Sequence, residues 1–229
     1  TAFEALLRWQ HPTEGLLGPS HFLDVLRETG LIIPVGRRVI RDACTAAARW
    51  QQEGRARVSV SVNVATSQLA YQGFVADVEQ ALFESGLEPA SLMLEVTEEA
   101  LVGDADSTRA VLQRLRAGGV RVFVDDFGTG YSSLSHLREL PVHGVKIDRG
   151  FLDGIHLPGA QREIVRTIVR LAHLLNLDVV AEGVETEAQM DVIRDLQCDV
   201  AQGFWIARPL DPDAAEAFLR DRRAAIEIA

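Results

Sequence analysis

Only two cysteines, Cys44 and Cys198, occur in 229 residues. Two are too few for a disulfide framework, and they lack metal-ligand spacing, so they read as small buried apolar residues in a reducing cytoplasm. No apolar run approaches the roughly 18 residues of a membrane helix. The opening "TAFEALLRW" also lacks the basic start of a signal peptide, and a soluble chain with no membrane segment is expected. Basic charge is short too: 23 Lys and Arg stand against 33 Asp and Glu, a formal net charge of -10. That excludes a protein gripping a nucleic-acid polymer through its phosphates, which needs a basic face. A small phosphorylated ligand held through metal remains compatible. No Pro/Gly/Ser-rich linker divides the chain, so a single domain over residues 1–229 is expected. With 47% hydrophobic and 24% charged residues, that domain buries a sizeable core.

What is present is a recurring alternation. The strand-like runs "AFEALLRW", "RVSVSVNVA", "SLMLEVTE", "RVFVDDF", "HGVKID", "LDVVAEGVE" and "DVAQGFWIA" are separated by stretches of helical periodicity. This reads as β/α units around a parallel sheet. In "RRVIRDACTAAARWQQEG", Val39, Ile40, Ala43, Ala47 and Trp50 share one helix face, with a stop at Gly54. In "REIVRTIVRLAHLLN" the face is Ile164, Val165, Ile168, Leu171 and Leu175. Thr186 with Gln189 forms a capping box, and Asp211 before Pro212 an N-cap with a first-turn proline. Seven strands are one fewer than a closed β/α barrel has, and the expected place for the eighth is upstream of Thr1. The competing open, doubly wound sheet lacks its glycine-rich phosphate loop after the first strand.

Polar residues stand at the carboxyl end of every run: Glu4, Asn63, Glu95 with Glu98, Asp125 with Asp126, Lys146 with Asp148, Glu182 with Glu185, and Gln202. In a parallel barrel those ends meet on one rim. Carboxylates gathered there cost several kcal/mol unless cations or protons neutralise them. Carboxylates and an amide are hard oxygen donors, suited to magnesium or manganese, whereas zinc favours His or Cys. The histidines show no HExxH or paired spacing and none ends a strand-like run, so they read as surface or packing residues. Two ions sharing Asp125 suit in-line attack on a phosphate ester. Adjacent strand residues point to opposite faces, so Asp125 and Asp126 both reach a metal only if the strand ends between them. Gly128 and Gly130 would permit such an exit.

"EALLRW", "LEVTE", "DDFGTGYSSL", "VKIDRGF", "AEGVETEAQ" and "QGFW", in this order, resemble the signatures of the EAL family of cyclic di-GMP phosphodiesterases. The resemblance runs to about Pro209. It implies an α/β fold, a TIM-like (β/α)8 barrel with one irregular strand, and a bacterial signalling hydrolase that converts cyclic di-GMP to linear pGpG. It implies Mg2+ or Mn2+, two ions, held by Glu4, Asn63, Glu95, Asp125 and Asp126. Glu182 matches the general base, Lys146 a cation near the water and metals, and Glu98 the support of the "DDFGTGYSSL" loop. Leu7, Arg8, Gln202, Asp148 and Glu185 match positions facing the substrate, although Asp148 and Glu185 read equally as structural anchors of the rim. A homodimer is implied as well. The chain departs from the family in lacking the lead-in before "EALLRW", and in Ala65 and Gly150 where serine is common. Three other readings compete. One is a cyclic di-GMP receptor without catalysis, against which the complete metal set stands. Another is a protein kinase, from Asp126-Phe127-Gly128, which lacks the kinase's other loops. The third is a scaffold using rim or helices for protein contacts alone.

Overall fold

Val and Leu alternate with other residues along most of the strand-like runs, and that period of two builds the sheet. The computed structural model describes residues 1–53, 58–101, 105–128, 138–157 and 159–226. The sheet strands are β1 (Ala2–Ala5), β4 (Ser59–Val64), β5 (Leu92–Thr97), β6 (Arg121–Phe127), β7 (Gly144–Ile147), β8 (Asp178–Ala181) and β9 (Val200–Ala201). They form one seven-stranded sheet in chain order, every neighbouring pair parallel. The β/α alternation is therefore as expected. The first run is shorter than expected: it leaves the sheet after Ala5, and Trp9–His11 (β2) pairs antiparallel with Gly15–Leu17 (β3) in a separate hairpin. His11 thus ends a strand after all, but it serves the turn, its Nδ1 accepting from the Glu14 amide at 3.2 Å.

Helices cover the outside: α1 (Leu23–Glu28), α2 (Ile32–Gln52), α3 (Thr66–Leu69), α4 (Phe74–Ser85), α5 (Ala105–Ala117), α6 (Ala160–Leu174), α7 (Glu187–Asp195) and α8 (Pro212–Ile226). The outward residues of the strands are almost all aliphatic: Val60, Val62, Val64, Leu92, Leu94, Val96, Val122, Val124, Val145, Ile147, Val179 and Ala181. They share one core with Ile40, Ala43, Cys44 and Ala47 of α2 and Val75, Val78 and Leu82 of α4. Each such side chain contributes about 1.5–3 kcal/mol on burial. The α2 face matches its expectation, and the proposed stop at Gly54 lies outside the described residues. For α6 the buried line is Val165, Val169 and Ala172, while Ile164 is 44% exposed. The expected face was centred one residue too early. The Thr186 capping box opens α7, with the Gln189 amide donating to Thr186 Oγ1 at 3.2 Å, and Asp211 Oδ1 caps α8 through the Ala214 amide at 2.8 Å. A second cluster, Trp50, Val58, Ala215 and Leu219 with Phe3, packs α8 against α2 and the back of β1.

The sheet curls enough for its two edges to meet through side chains. Gln202, directly after β9, donates to Glu4 of β1 at 2.5 Å, across 198 positions of sequence. No backbone pairing joins β9 to β1 among the described residues. The register break falls in β6, whose pairing with β7 shifts between Val124 and Phe127. This is where Asp125 and Asp126 sit, and it corrects the expectation that the strand ends between them. The strand runs on to Phe127, with Asp126 in the left-handed region at φ 54°. A bulge re-aims consecutive side chains without ending the strand.

Candidate metal-binding active site

The register that sends aliphatic residues outward sends the alternate set inward. On that inner face lie Ser61 and Asn63, Met93 and Glu95, Arg121, Phe123 and Asp125, Lys146, and Asp178, with Glu182 just past the end of β8. The set divides by height. Toward the amino ends of the strands, Arg121 pairs with Asp178 at 2.5 Å, lies over the Phe123 ring at 5.0 Å and reaches the Met93 sulfur at 4.0 Å. These side chains plug the floor. Toward the carboxyl ends the residues are acidic or amide, and the mouth opens there.

Glu4 is held from both sides. Its Oε1 accepts from Asn63 Nδ2 at 2.6 Å and its Oε2 from Gln202 Nε2 at 2.5 Å. At the centre is Lys146, 2% exposed, whose Nζ donates to Glu95 Oε2 at 2.7 Å and to Glu182 Oε1, and stands 3.6 Å from Asp125 Oδ1. Asp125, Asp126 and Glu182 each offer a carboxylate oxygen, and these oxygens all lie within 4.8 Å of one another. Five carboxylates therefore crowd one ammonium.

The crowding shows in the proton affinities. Burial by itself would push the Lys146 ammonium toward neutrality, but Glu95, Glu182, Glu4 and Asp125 outweigh it and hold the charge far more firmly than in an ordinary lysine. Burial pushes Glu182 up to about 7, opposed by Lys146 and helped by Asp125 and Glu4. Burial also raises Glu95, opposed by Lys146, helped by Glu4 and again opposed by hydrogen bonds from Lys146 and Ser61. Asp126 is raised by burial and by Asp125 and Asp148 beside it. Asp126 and Glu182, whose ionised forms are disfavoured, converge with Asp125 on one point, and such a set fits a hard divalent cation, which restores charge to the carboxylates that bind it.

The other expected site residues fall less centrally. Asp148 spends Oδ1 on the Gly150 amide at 2.9 Å, capping the short turn Arg149–Phe151, although it remains near enough to raise Asp126. Glu185 is exposed beyond β8, and its backbone amide is tied to Gln189. Glu98 opens a buried turn directly after β5, and most of the loop assigned to it, residues 129–134 of 125–134, lies outside the described residues. Leu7 is half-buried, and Arg8 is exposed with its guanidinium on the Leu7 carbonyl at 2.8 Å. Ser61 was missed. It stands two residues before Asn63 in "SVSVNV", so alternation alone put it on the inner face. No His belongs to an acidic cluster of metal-binding geometry among the described residues.

A parallel β/α sheet that curls into a TIM-like barrel, with a floor plug and an acidic mouth at the strand carboxyl ends, defines a barrel built to act at that mouth. The chain belongs to the EAL domain family, whose model matches residues 1–209. It is 45% identical over 207 residues to the bifunctional diguanylate cyclase/cyclic di-GMP phosphodiesterase MucR of Pseudomonas aeruginosa, covering 90% of this chain and 30% of that protein. To the cyclic di-GMP phosphodiesterase NbdA of the same species it is 44% identical over 222 residues, covering 96% and 28%. The chain thus spans less than a third of the length of these relatives. Among solved structures, the PaMucR phosphodiesterase in complex with c-di-GMP superposes with a TM-score of 0.86 at 45% identity, covering 90% of this chain and 84% of that one. The EAL enzyme Bd1971 in its cAMP- and cyclic-di-GMP-bound form gives a TM-score of 0.88 at 29% identity, covering 94% and 59%.

Proposed function

We propose that this chain is the catalytic domain of a cyclic di-GMP phosphodiesterase, hydrolysing one phosphodiester of the cyclic dinucleotide to give linear pGpG. The observation that carries the reading is the convergence of Asp125, Asp126 and Glu182 beside Lys146 at the mouth of an EAL-family barrel. The residues that would hold divalent metal are Glu4, Asn63, Glu95, Asp125 and Asp126, with Mg2+ or Mn2+ as the ion and two ions as the count. Such a cation supplies positive charge that acidifies water and offsets the charge of phosphate oxygens.

The remaining work belongs to side chains. Glu182, hydrogen-bonded to Lys146 and turned toward the Asp pair, is positioned to take the proton of the attacking water. Lys146 holds Glu182, Glu95 and Asp125 in register and places a fixed charge near the phosphate. Glu4 is oriented by Asn63 and Gln202, so Gln202 serves the site through Glu4 as well as facing the substrate. Exposed Arg8, with Leu7 beside it, would meet a phosphate or base at the lip. Asp148 and Glu185 act on the rim. Glu98 supports the segment after β6.

The test is direct: purified protein with cyclic di-GMP and Mg2+ releases pGpG, resolved by nucleotide chromatography. Ca2+ in place of Mg2+ leaves the dinucleotide bound and intact. Glu4→Ala and Glu182→Ala abolish release while the far-ultraviolet circular dichroism is kept. Release at the wild-type rate in either variant rejects the assignment. The same reading carries a homodimer, which sedimentation equilibrium checks, and a cytoplasmic location, in keeping with two free thiols. No helix among the described residues is long and apolar enough to cross a membrane.

A further inference from the structure

Gln189 is among the few buried polar residues, 8% exposed, and it stands outside the acidic mouth. Its place in the first turn of α7 accounts for the capping box, but its side chain does more than cap. Oε1 accepts from the backbone amides of Glu185 at 2.8 Å and Thr186 at 3.0 Å, which fixes the segment that follows Glu182. Nε2 turns the other way and donates to the Leu152 carbonyl at 3.1 Å, in the segment that follows Lys146 and Asp148. One amide therefore bolts the exit of β8 to the exit of β7. These are the two strands whose Glu182 and Lys146 are ion-paired at the mouth.

The turn between Glu182 and Glu185 has little freedom elsewhere. Gly183 has φ +72°, and a Cβ there would lie 2.4 Å from the Arg149 Cβ, so the β8 turn rests directly on the turn after β7. On its other side, the Val184 amide donates to the Gln202 carbonyl at 3.0 Å, and a Cβ on Gly203 would lie 2.2 Å from the Val184 oxygen. The turn is wedged between β7 and β9, and Gln189 is the side chain that spans the β7 flank.

We infer that Gln189 is a positioning residue for Glu182: by tying the β8 exit to the β7 exit it holds the Glu182 carboxylate against Lys146 and beside Asp125 and Asp126. The inference deepens the phosphodiesterase reading and rests on it for its kinetic consequence only; its effect on metal binding is independent of which nucleotide is the substrate. Displacing a carboxylate by a fraction of an ångström weakens a cation site and slows a reaction without abolishing the fold.

Two variants separate the bonds. Gln189→Met keeps the shape and removes every hydrogen bond of the side chain, leaving the backbone bond to Thr186 Oγ1. Gln189→Glu keeps the acceptor toward Glu185 and Thr186 but replaces the donor toward Leu152 with a second acceptor. Each is measured by Mn2+ titration without nucleotide, following free Mn2+ by electron paramagnetic resonance, and by steady-state cyclic di-GMP hydrolysis with Mg2+. In Gln189→Met the Mn2+ affinity falls about tenfold with unchanged stoichiometry, and kcat falls about tenfold with KM within about twofold. In Gln189→Glu hydrogen exchange of the peptide over 182–186 stays near wild type, that over 149–152 accelerates, and the affinity loss is intermediate. A purely structural role behaves differently: it lowers the number of Mn2+ sites by unfolding and leaves the affinity of the rest intact, which overturns the inference. Wild-type Mn2+ affinity in Gln189→Met overturns it as well. Wild-type protein that binds Mn2+ but leaves cyclic di-GMP intact removes the phosphodiesterase reading instead, and the Mn2+ comparison still decides the role of Gln189.

Discussion

Lys146, 2% exposed, shares the interior with Glu95, itself 5% exposed. A buried charge that loses its partner leaves the other uncompensated, so Lys146→Met is expected to cost about 3–5 kcal/mol in metal-free protein, read by urea denaturation in EDTA. A loss below about 1 kcal/mol would show that the acids hold themselves apart without the ammonium. Turnover in the same variant falls to background. Gly183 makes a second residue-scale prediction. Its positive φ costs an L-residue about 1–2 kcal/mol, and contact with Arg149 adds to that. Gly183→Ala should therefore lower both stability and kcat, and a variant matching wild type in both would mean the turn yields easily. Most of the residues in this mouth were legible one by one, because polar residues at the ends of apolar runs stand out in "SVNVA", "LEVTE" and "HGVKID". Their partners were not. Nothing in the spacing of Lys146 and Glu95, or of Glu4 and Gln202, tells that their side chains touch, since those contacts depend on the curl of the whole sheet.

Among elements, all seven sheet strands could be read from sequence, most plainly β4 to β7, where aliphatic residues recur at every second position. The failures have local causes. "AFEALLRW" reads as one run, yet it crosses from β1 into the β2–β3 hairpin, whose Pro12-Thr13-Glu14-Gly15 turn was the available signal. The bulge in β6 was indicated only by two adjacent acids, and a strand end explained them equally well until the register was seen. α8 shows a different dependence. The family match stops at residue 209, yet α8 buries Leu219, 8% exposed, against Trp50 and Phe3, next to Glu4. Leu219→Ala should cost about 2–4 kcal/mol in denaturant unfolding, by lost burial and the cavity it leaves. An effect below about 0.5 kcal/mol would mean that α8 is only loosely attached.

For the whole molecule, stability should respond to pH through His143 at the floor. Burial lowers its pKa, Arg116 and Arg121 lower it further, and Asp178 opposes them. Its Nδ1 accepts from the Val122 amide at 3.0 Å, a bond that only the neutral ring can make. The unfolded chain takes up a proton near pH 6.5 while the folded ring resists, so stability present above that pH is lost as pH falls from about 6.5 toward the lowered folded value. Glu182, raised to about 7, acts in the opposite direction over the same range, so the check is a difference: urea midpoints at pH 7.5 and 5.5 should move in favour of His143→Gln relative to wild type on acidification, and an unchanged difference would assign the effect elsewhere.

The bond between Gln202 and Glu4 joins the first strand of the sheet to the last. During synthesis the ribosome delivers Glu4 nearly two hundred residues before the amide that orients it, so a nascent chain holds most of its core well before it holds a finished mouth. The mouth is thereby completed late, and an arrested or clipped product short of that glutamine lacks the donor that orients Glu4.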